Sequence, residues 1–277
     1  MKKTANLLPI ALSVAALATA CTGGQSADDR FAVATDSIVD TLRLKAPHSR
    51  IASTFRFVAD VPTTDSRHKA AVDSALTAFI AGGVKVHSLG DVKATMRELA
   101  DTFKRDTQDW GPAGEPPTTM PNMSDATLKL VYQTPEFATF GLTGYVYYGG
   151  AAHGSSTERH LTVDLSDGHG LAWDDIFTAE GKQRLAEMLK DALRKQYYKD
   201  NTPAFDGPSD GVFSFALPAN LPAFMKDGIV FNWAEYEIDA YAAGRPACTL
   251  PYAAVKPLLT PRALTLLKSV YSPETTR

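Results

Sequence analysis

The chain has 277 residues, 44% of them hydrophobic and 21% charged, which is ordinary globular composition and enough for one generous core or two small ones. A formal net charge of −3 lacks the basic footprint that nucleic acid requires, so no nucleic-acid partner is expected. Beyond the N-terminus, no apolar run is long enough to span a bilayer.

Lys2 and Lys3 precede an apolar stretch from Leu7 to Leu17, followed by Ala18-Thr19-Ala20-Cys21. A basic start, a short apolar run and small residues make a secretory signal over 1–20, too short to be a membrane span. Ala18-x-Ala20 suits ordinary signal peptidase, whereas small residues directly before Cys21 resemble the bacterial lipoprotein box, which prefers Leu where Ala18 stands. Both cut before Cys21. Lipidation of Cys21 is the expectation, since it explains a lone cysteine at the mature N-terminus and leaves 21–30 as a polar tether. Cys248 is then a single thiol, read as a small buried hydrophobe. The alternative, Cys21 without lipid, leaves a Cys21–Cys248 disulfide open.

Between Phe31 and Val61 the pattern is mixed, with its clearest strand at 54–59, closed by Pro62. A helix follows, with Thr64 or Asp65 as N-cap, apolar Val72, Ala75, Leu76, Phe79 and Ile80 on one face, and Gly82-Gly83 as its end. A second helix starts near Asp91 and aligns Val92, Met96, Leu99, Ala100 and Phe103. Its Lys93, Arg97, Lys104 and Arg105 read as a solvated face. Residues 110–122 are rich in Gly and Pro and form a loop, so the chain divides into an N-terminal region, 31–122, and a C-terminal domain, 123–272.

Two strands, 128–132 and 138–148, join around Pro135. In the second, Tyr145, Tyr147 and Gly149 alternate with Val146 and Tyr148, the two-residue period of a strand. Gly149 and Gly150 open a loop, His153 precedes Gly154, and Leu161, Val163 and Leu165 alternate in the next strand. A turn at Ser166-Asp167-Gly168 then leads into a further strand from Leu171. Thr178 caps a third helix with Leu185, Met188, Leu189, Ala192 and Leu193 inward. Residues 199–210 are a surface loop, 211–217 a strand, 227–233 a turn and strand, 235–244 an irregular connection and 247–250 a strand. A short helix from Pro251 and another over 261–270 close the chain. Strands and helices do not alternate strictly. The expected fold is therefore α+β, a mostly antiparallel sheet with helices packed on one face and a smaller N-terminal αβ part.

Four ordered stretches of the C-terminal half resemble a known family. They are Tyr148-Gly-Gly-Ala-Ala-His153-Gly154, Leu171-Ala-Trp-Asp174-Asp175-Ile-Phe177, the run Asp227-Gly228 … Tyr236-Glu237-Ile238 … Tyr241-Ala-Ala-Gly244, and Leu250-Pro251-Tyr252. They are similar to the domain of unknown function shared by RsiV-type lysozyme-sensing anti-sigma factors and by some peptidoglycan deacetylases, which also occurs in stand-alone lipoproteins of Gram-negative bacteria. Gly149 and Ala151 stand where that signature has Thr and Gly. A cytoplasmic sigma-binding segment ahead of a membrane span is not expected here, nor is a deacetylase catalytic domain after the resembling region. The resemblance implies an envelope lipoprotein, at the outer membrane and facing the periplasm or the surface, that binds a cell-wall glycan or a lysozyme-like protein.

The candidate chemistry gathers near the central loop. His153, His160, Asp164, Asp167, His169, Asp174 and Asp175 are metal-type ligands in about twenty residues, but their spacing fits no helical His pair, and no metal or other cofactor is expected. Glu235, Glu237 and Asp239 could form a carboxylate pair for glycoside hydrolysis, though a structural corner explains them more simply. The rival to a binding module is thus an envelope polysaccharide hydrolase or deacetylase-like enzyme using His153 and nearby carboxylates. The expected binding surface is Tyr145, Tyr147, Gly149, Gly150, His153 and Gly154, because aromatic faces on a rigid strand stack on sugars or anchor protein interfaces. Its competitor is burial of Tyr145 and Tyr147 beneath the third helix.

Overall fold

The computed structural model describes residues 31–43, 52–63, 68–109, 120–199 and 215–271. The expected signal peptide, Cys21 and its tether lie outside the described residues, as do the loops at 110–119 and 200–214.

Alternating Phe55, Phe57 and Ala59 bury one side of β2 (Ala52–Pro62). It pairs antiparallel with β1 (Val33–Arg43) and parallel with β3 (Met123–Gln133), where Thr54 faces Met123. A parallel neighbour needs a crossover connection, and α1 (Lys69–Ala81) and α2 (Val92–Asp109) supply it. β3 turns through Thr134–Glu136 into β4 (Phe137–Tyr147), which pairs antiparallel with β5 (Ser155–Asp164). The five strands therefore lie in the order β1-β2-β3-β4-β5, and strands from both sides of residue 122 share one sheet.

On one face of the sheet, Val72, Leu76 and Ile80 of α1 and Val92, Met96 and Ala100 of α2 bury against Phe57, Leu128, Phe140 and Val163. On the other lies a second core, built on Phe137 and Trp233. It joins α4 (Ala179–Gln196) to a small antiparallel sheet of β6 (Ala223–Met225), β7 (Gly228–Asn232) and β8 (Ala247–Leu250). Three short helices, α5 (Tyr252–Val255), α6 (Pro261–Leu266) and α7 (Lys268–Tyr271), complete that layer. The expected α+β class and mostly antiparallel main sheet are present.

Several elements differ from expectation. The strand expected over 211–217 is irregular at 215–217, and the partner of β7 is instead β6, three residues between Pro222 and the Lys226-Asp227 turn. No strand runs on from Leu171. A single bridge pairs Val163 with Gly170, and the chain then enters α3 (Trp173–Ile176), where the Asp175 carboxylate accepts from the Ala172 N–H at 2.8 Å. The first helix begins only at Lys69, after His68 in the left-handed region at φ 53°. Lys93 and Lys104 of α2 are not purely solvated, since they reach Asp36 and Asp40 of β1 at 2.8 Å each.

His160, on β5, is buried. Desolvation pushes its imidazole below the ordinary value, against the opposing pull of Glu158 and Asn232. The unfolded chain then takes up this proton before the folded one, so its stabilising contribution is complete above a pH of about 6.5 and is lost as pH falls below it. Melting temperature should decline between pH 7 and 5, and His160→Gln should flatten that slope. An unchanged slope in the variant would assign the decline to other groups.

Candidate functional site

The β4–β5 hairpin sets the site. At its loop end Tyr145 sits opposite Ser156, on the face turned away from α1 and α2. The connection closes in a tight turn, in which the Ala151 N–H donates to the Tyr148 carbonyl at 2.9 Å and Gly150 adopts φ 89°. The turn is pinned from below, because the Gly149 N–H donates at 2.7 Å to the side-chain oxygen of buried Asn122, whose own amide donates to Thr107. Tyr147 serves the same turn, its hydroxyl donating to the Ala151 carbonyl at 3.3 Å.

Gly154 is the centre of the arrangement. A Cβ there would lie 2.2 Å from the Tyr145 hydroxyl oxygen and 2.3 Å from its ring carbon Cζ, so the absent side chain is what lets that ring lie against the loop. The Gly154 carbonyl accepts from the Tyr241 hydroxyl at 3.1 Å and meets His153 Nδ1 at 2.9 Å. A carbonyl can only accept, so Nδ1 carries the proton. In the neutral ring Nε2 is then free to accept from the Tyr236 hydroxyl, 3.2 Å away. The imidazole stacks on Tyr241 with centroids 4.0 Å apart and planes 24° off parallel, and Tyr236 stacks on Tyr241 at 5.6 Å. Desolvation, with Glu235, Tyr145 and Tyr236 nearby, raises the Tyr241 hydroxyl above the usual tyrosine range.

The corner that delivers Tyr236 and Tyr241 is held by its acidic residues. Glu235 accepts from the Ser156 N–H at 3.2 Å and the Ser155 hydroxyl at 3.1 Å, joining the corner to the edge of β5. Glu237 accepts from the Ala234 and Ala219 N–H groups at 2.7 and 2.6 Å, while Ile238 plugs the core beneath. Tyr236 itself has φ 66°, a conformation that costs a tyrosine of order 1–3 kcal/mol and is kept only where its surroundings over-determine it. Tyr236 is 51% exposed and Tyr145 41%. His153, Tyr236 and Tyr241 form a stacked aromatic cluster fixed by hydrogen bonds, and exposed Tyr145 lies beside it against Gly154.

Of the expected site residues, Tyr145, His153 and Gly154 meet here, whereas Tyr147, Gly149 and Gly150 build the turn behind them. Tyr145 does not lie beneath the third helix. Tyr236 and Tyr241 complete the surface but were expected only as neighbours of a carboxylate corner. Their signal was present, two tyrosines five residues apart beside Gly244, but only the fold shows that the corner docks on the hairpin.

The remaining polar groups tie elements together. Arg262 of α6 bridges Asp164 and Asp167 at 2.8 Å each, and His169 Nε2 meets Asp175 at 3.0 Å. Although desolvation opposes it, the N–H groups and cations around Asp167 and Asp175 hold both carboxyls below their ordinary range. Among the described residues no group of three or more His, Cys, Asp or Glu is placed to hold a metal ion. Burial pushes the Cys248 thiol up to about 12, leaving it protonated and unreactive at neutral pH. No described helix is long and apolar enough to cross a membrane.

Residues 174–253 match the model of a family described as "Protein of unknown function (DUF3298)". That span includes Glu235, Tyr236 and Tyr241 and begins just beyond the hairpin. Two solved structures of that family are similar in fold. A member from Bacteroides fragilis is 22% identical, with a TM-score of 0.60, over 86% of this chain and 98% of its own. One from Pseudomonas aeruginosa is 14% identical, with a TM-score of 0.57, over 84% of this chain and 96% of its own. At these identities the likeness is one of fold. No curated protein sequence matches the chain.

Proposed function

We propose that this chain is an exported, lipid-anchored envelope protein whose C-terminal half is a non-catalytic binding module for cell-wall glycan. The observation that carries this reading is the aromatic surface of Tyr145, His153, Tyr236 and Tyr241, because flat exposed rings held rigidly from behind suit the apolar faces of sugars. The groups a hydrolase would need are engaged elsewhere. Both nitrogens of His153 have partners, and Glu235 and Glu237 accept backbone N–H groups. The resemblance to the RsiV-like domain supports the same assignment and adds a lysozyme-like protein as the competing partner, since exposed tyrosines also anchor protein interfaces.

Titration of the purified protein with chitotetraose and, separately, with lysozyme tests the reading. Saturable sugar binding without turnover is expected. Lysozyme binding without any sugar binding would favour the protein partner. Glycan turnover that disappears in a folded His153→Ala variant would favour an enzyme. For the anchor, Cys21→Ala should move the protein from the membrane fraction to the soluble periplasm. A wild-type protein that is already soluble, with an unmodified Cys21 by mass spectrometry, would remove the tether from the proposal.

A further inference from the structure

Beside the aromatic surface, where the edge of β5 meets the end of α1, lies a pocket of about 350 Å³ walled by Gly82, Ser156, Thr157, Glu158, Arg159 and Asn220. Ala234 also walls it, one residue before Glu235, and the Ser156 N–H holds that same Glu235. The pocket, on the α1 side of β5, and the aromatic rings, on its other side, thus meet along the edge of that strand.

Arg159 is the unusual member. Its Nε is buried and has no hydrogen-bond partner among the described residues, and no carboxylate there pairs with its guanidinium. The neighbouring Glu158 is engaged by Arg245 at 3.2 Å. Desolvation lowers the Arg159 pKa, with no carboxylate among the described residues offsetting it. The guanidinium rests over the Phe79 ring at 5.2 Å, and its terminal nitrogens lie where a Cβ on Gly82 would come within 2.9–3.0 Å. Phe79 and the carbonyl end of α1 account for the placement of a cation there. They leave its N–H donors without the acceptors that a partly buried guanidinium ordinarily finds.

We infer that this pocket receives the carboxylate of an acidic sugar, so that the glycan lying on the aromatic rings is one that carries carboxylate groups; this rests on the glycan reading above. A guanidinium fork matches a carboxylate in shape and supplies two parallel hydrogen bonds. Thr157, two residues from Arg159 on the same face of β5, adds a hydroxyl donor. Arg159 is the single cationic residue of the wall, and Glu158 faces the same space, which suits a monoanion better than a phosphate dianion. The volume is in the range of small-ligand sites.

The test compares two probes of equal length, neutral chitotetraose and the alternating tetrasaccharide of N-acetylglucosamine and N-acetylmuramic acid, whose lactyl groups add carboxylates. Isothermal titration of the full-length protein should show the acidic sugar binding about tenfold tighter, about 1.4 kcal/mol. Added salt should reduce that preference. Arg159→Gln should abolish it, bringing the affinity for the acidic sugar down to that for chitotetraose. Arg159→Lys, which keeps the charge but loses the fork, should retain a smaller preference, and it serves as the readout if the Gln variant melts early. Equal affinity for the two sugars in the wild type, with binding still weakened by Tyr236→Ala, would overturn the carboxylate pocket and leave the glycan surface standing. An acidic preference that persists in folded Arg159→Gln would overturn it equally. An Arg159-dependent preference that Tyr236→Ala does not touch would support the pocket and remove the aromatic surface, and failure of both sugars to bind would overturn both.

Discussion

Gly228→Ala is expected to lower the melting temperature by roughly 6–12 °C, from a loss of about 3 kcal/mol, the larger end of what a single substitution does. Gly228 starts β7 after the Lys226-Asp227 turn and adopts φ 154°. A Cβ there would fall 2.2 Å from the Leu250 carbonyl oxygen and 3.0 Å from the Pro251 Cα. Both are backbone atoms, and Leu250 is held in register against Ile229, so neither can rotate away as a side-chain tip would. Relief requires β7 and β8 to part, which disturbs the packing of fully buried Phe231 and Trp233. Thermal unfolding followed by circular dichroism measures this directly. A melting temperature within about 2 °C of wild type would mean that the two strands are not packed as described.

The turn leading into Gly228 was legible in the sequence because a glycine before an apolar run has few other uses. So were β2, with its alternating Phe55 and Phe57, and α4, with the Thr178 hydroxyl accepting from the Gly181 N–H. The edge strand β1 was not. Its inward side carries Ile38 between Asp36 and Asp40, and the aspartates are matched by lysines of α2, so the polar–apolar alternation that marks a strand is broken by contacts made across the fold. β6 was hidden for another reason, since three residues are too few to show a period. The site was half legible. Tyr145, His153 and Gly154 are close in sequence and share a motif, whereas Tyr236 and Tyr241 join them across more than eighty residues through Glu235, a contact that no local pattern encodes.

Gly154→Ala is expected to cost about thirtyfold in glycan affinity while leaving the melting temperature within about 2 °C of wild type. Unlike the clash at Gly228, the one here is with a side chain. The added methyl group would meet the Tyr145 hydroxyl and ring edge, and the ring of this 41% exposed residue can swing out into water at little cost to the core. Gly154 does not need a left-handed backbone, so alanine introduces no strain of its own. What is lost is the seat of Tyr145 against Gly154, and with it one edge of the proposed sugar platform. Tyr236→Ala should have a similar effect, because truncating an aromatic anchor typically costs about 2 kcal/mol or more, roughly thirtyfold in affinity. Tyr147→Ala is the internal comparison. That ring supports the turn through the Ala151 carbonyl, so its loss should change affinity less than about threefold. Affinity and melting temperature measured on all three variants separate surface from scaffold. If Tyr147→Ala weakens binding most while Gly154→Ala and Tyr236→Ala bind as wild type, the contact face lies on the turn side of the hairpin, and the cluster around His153 is merely its structural support.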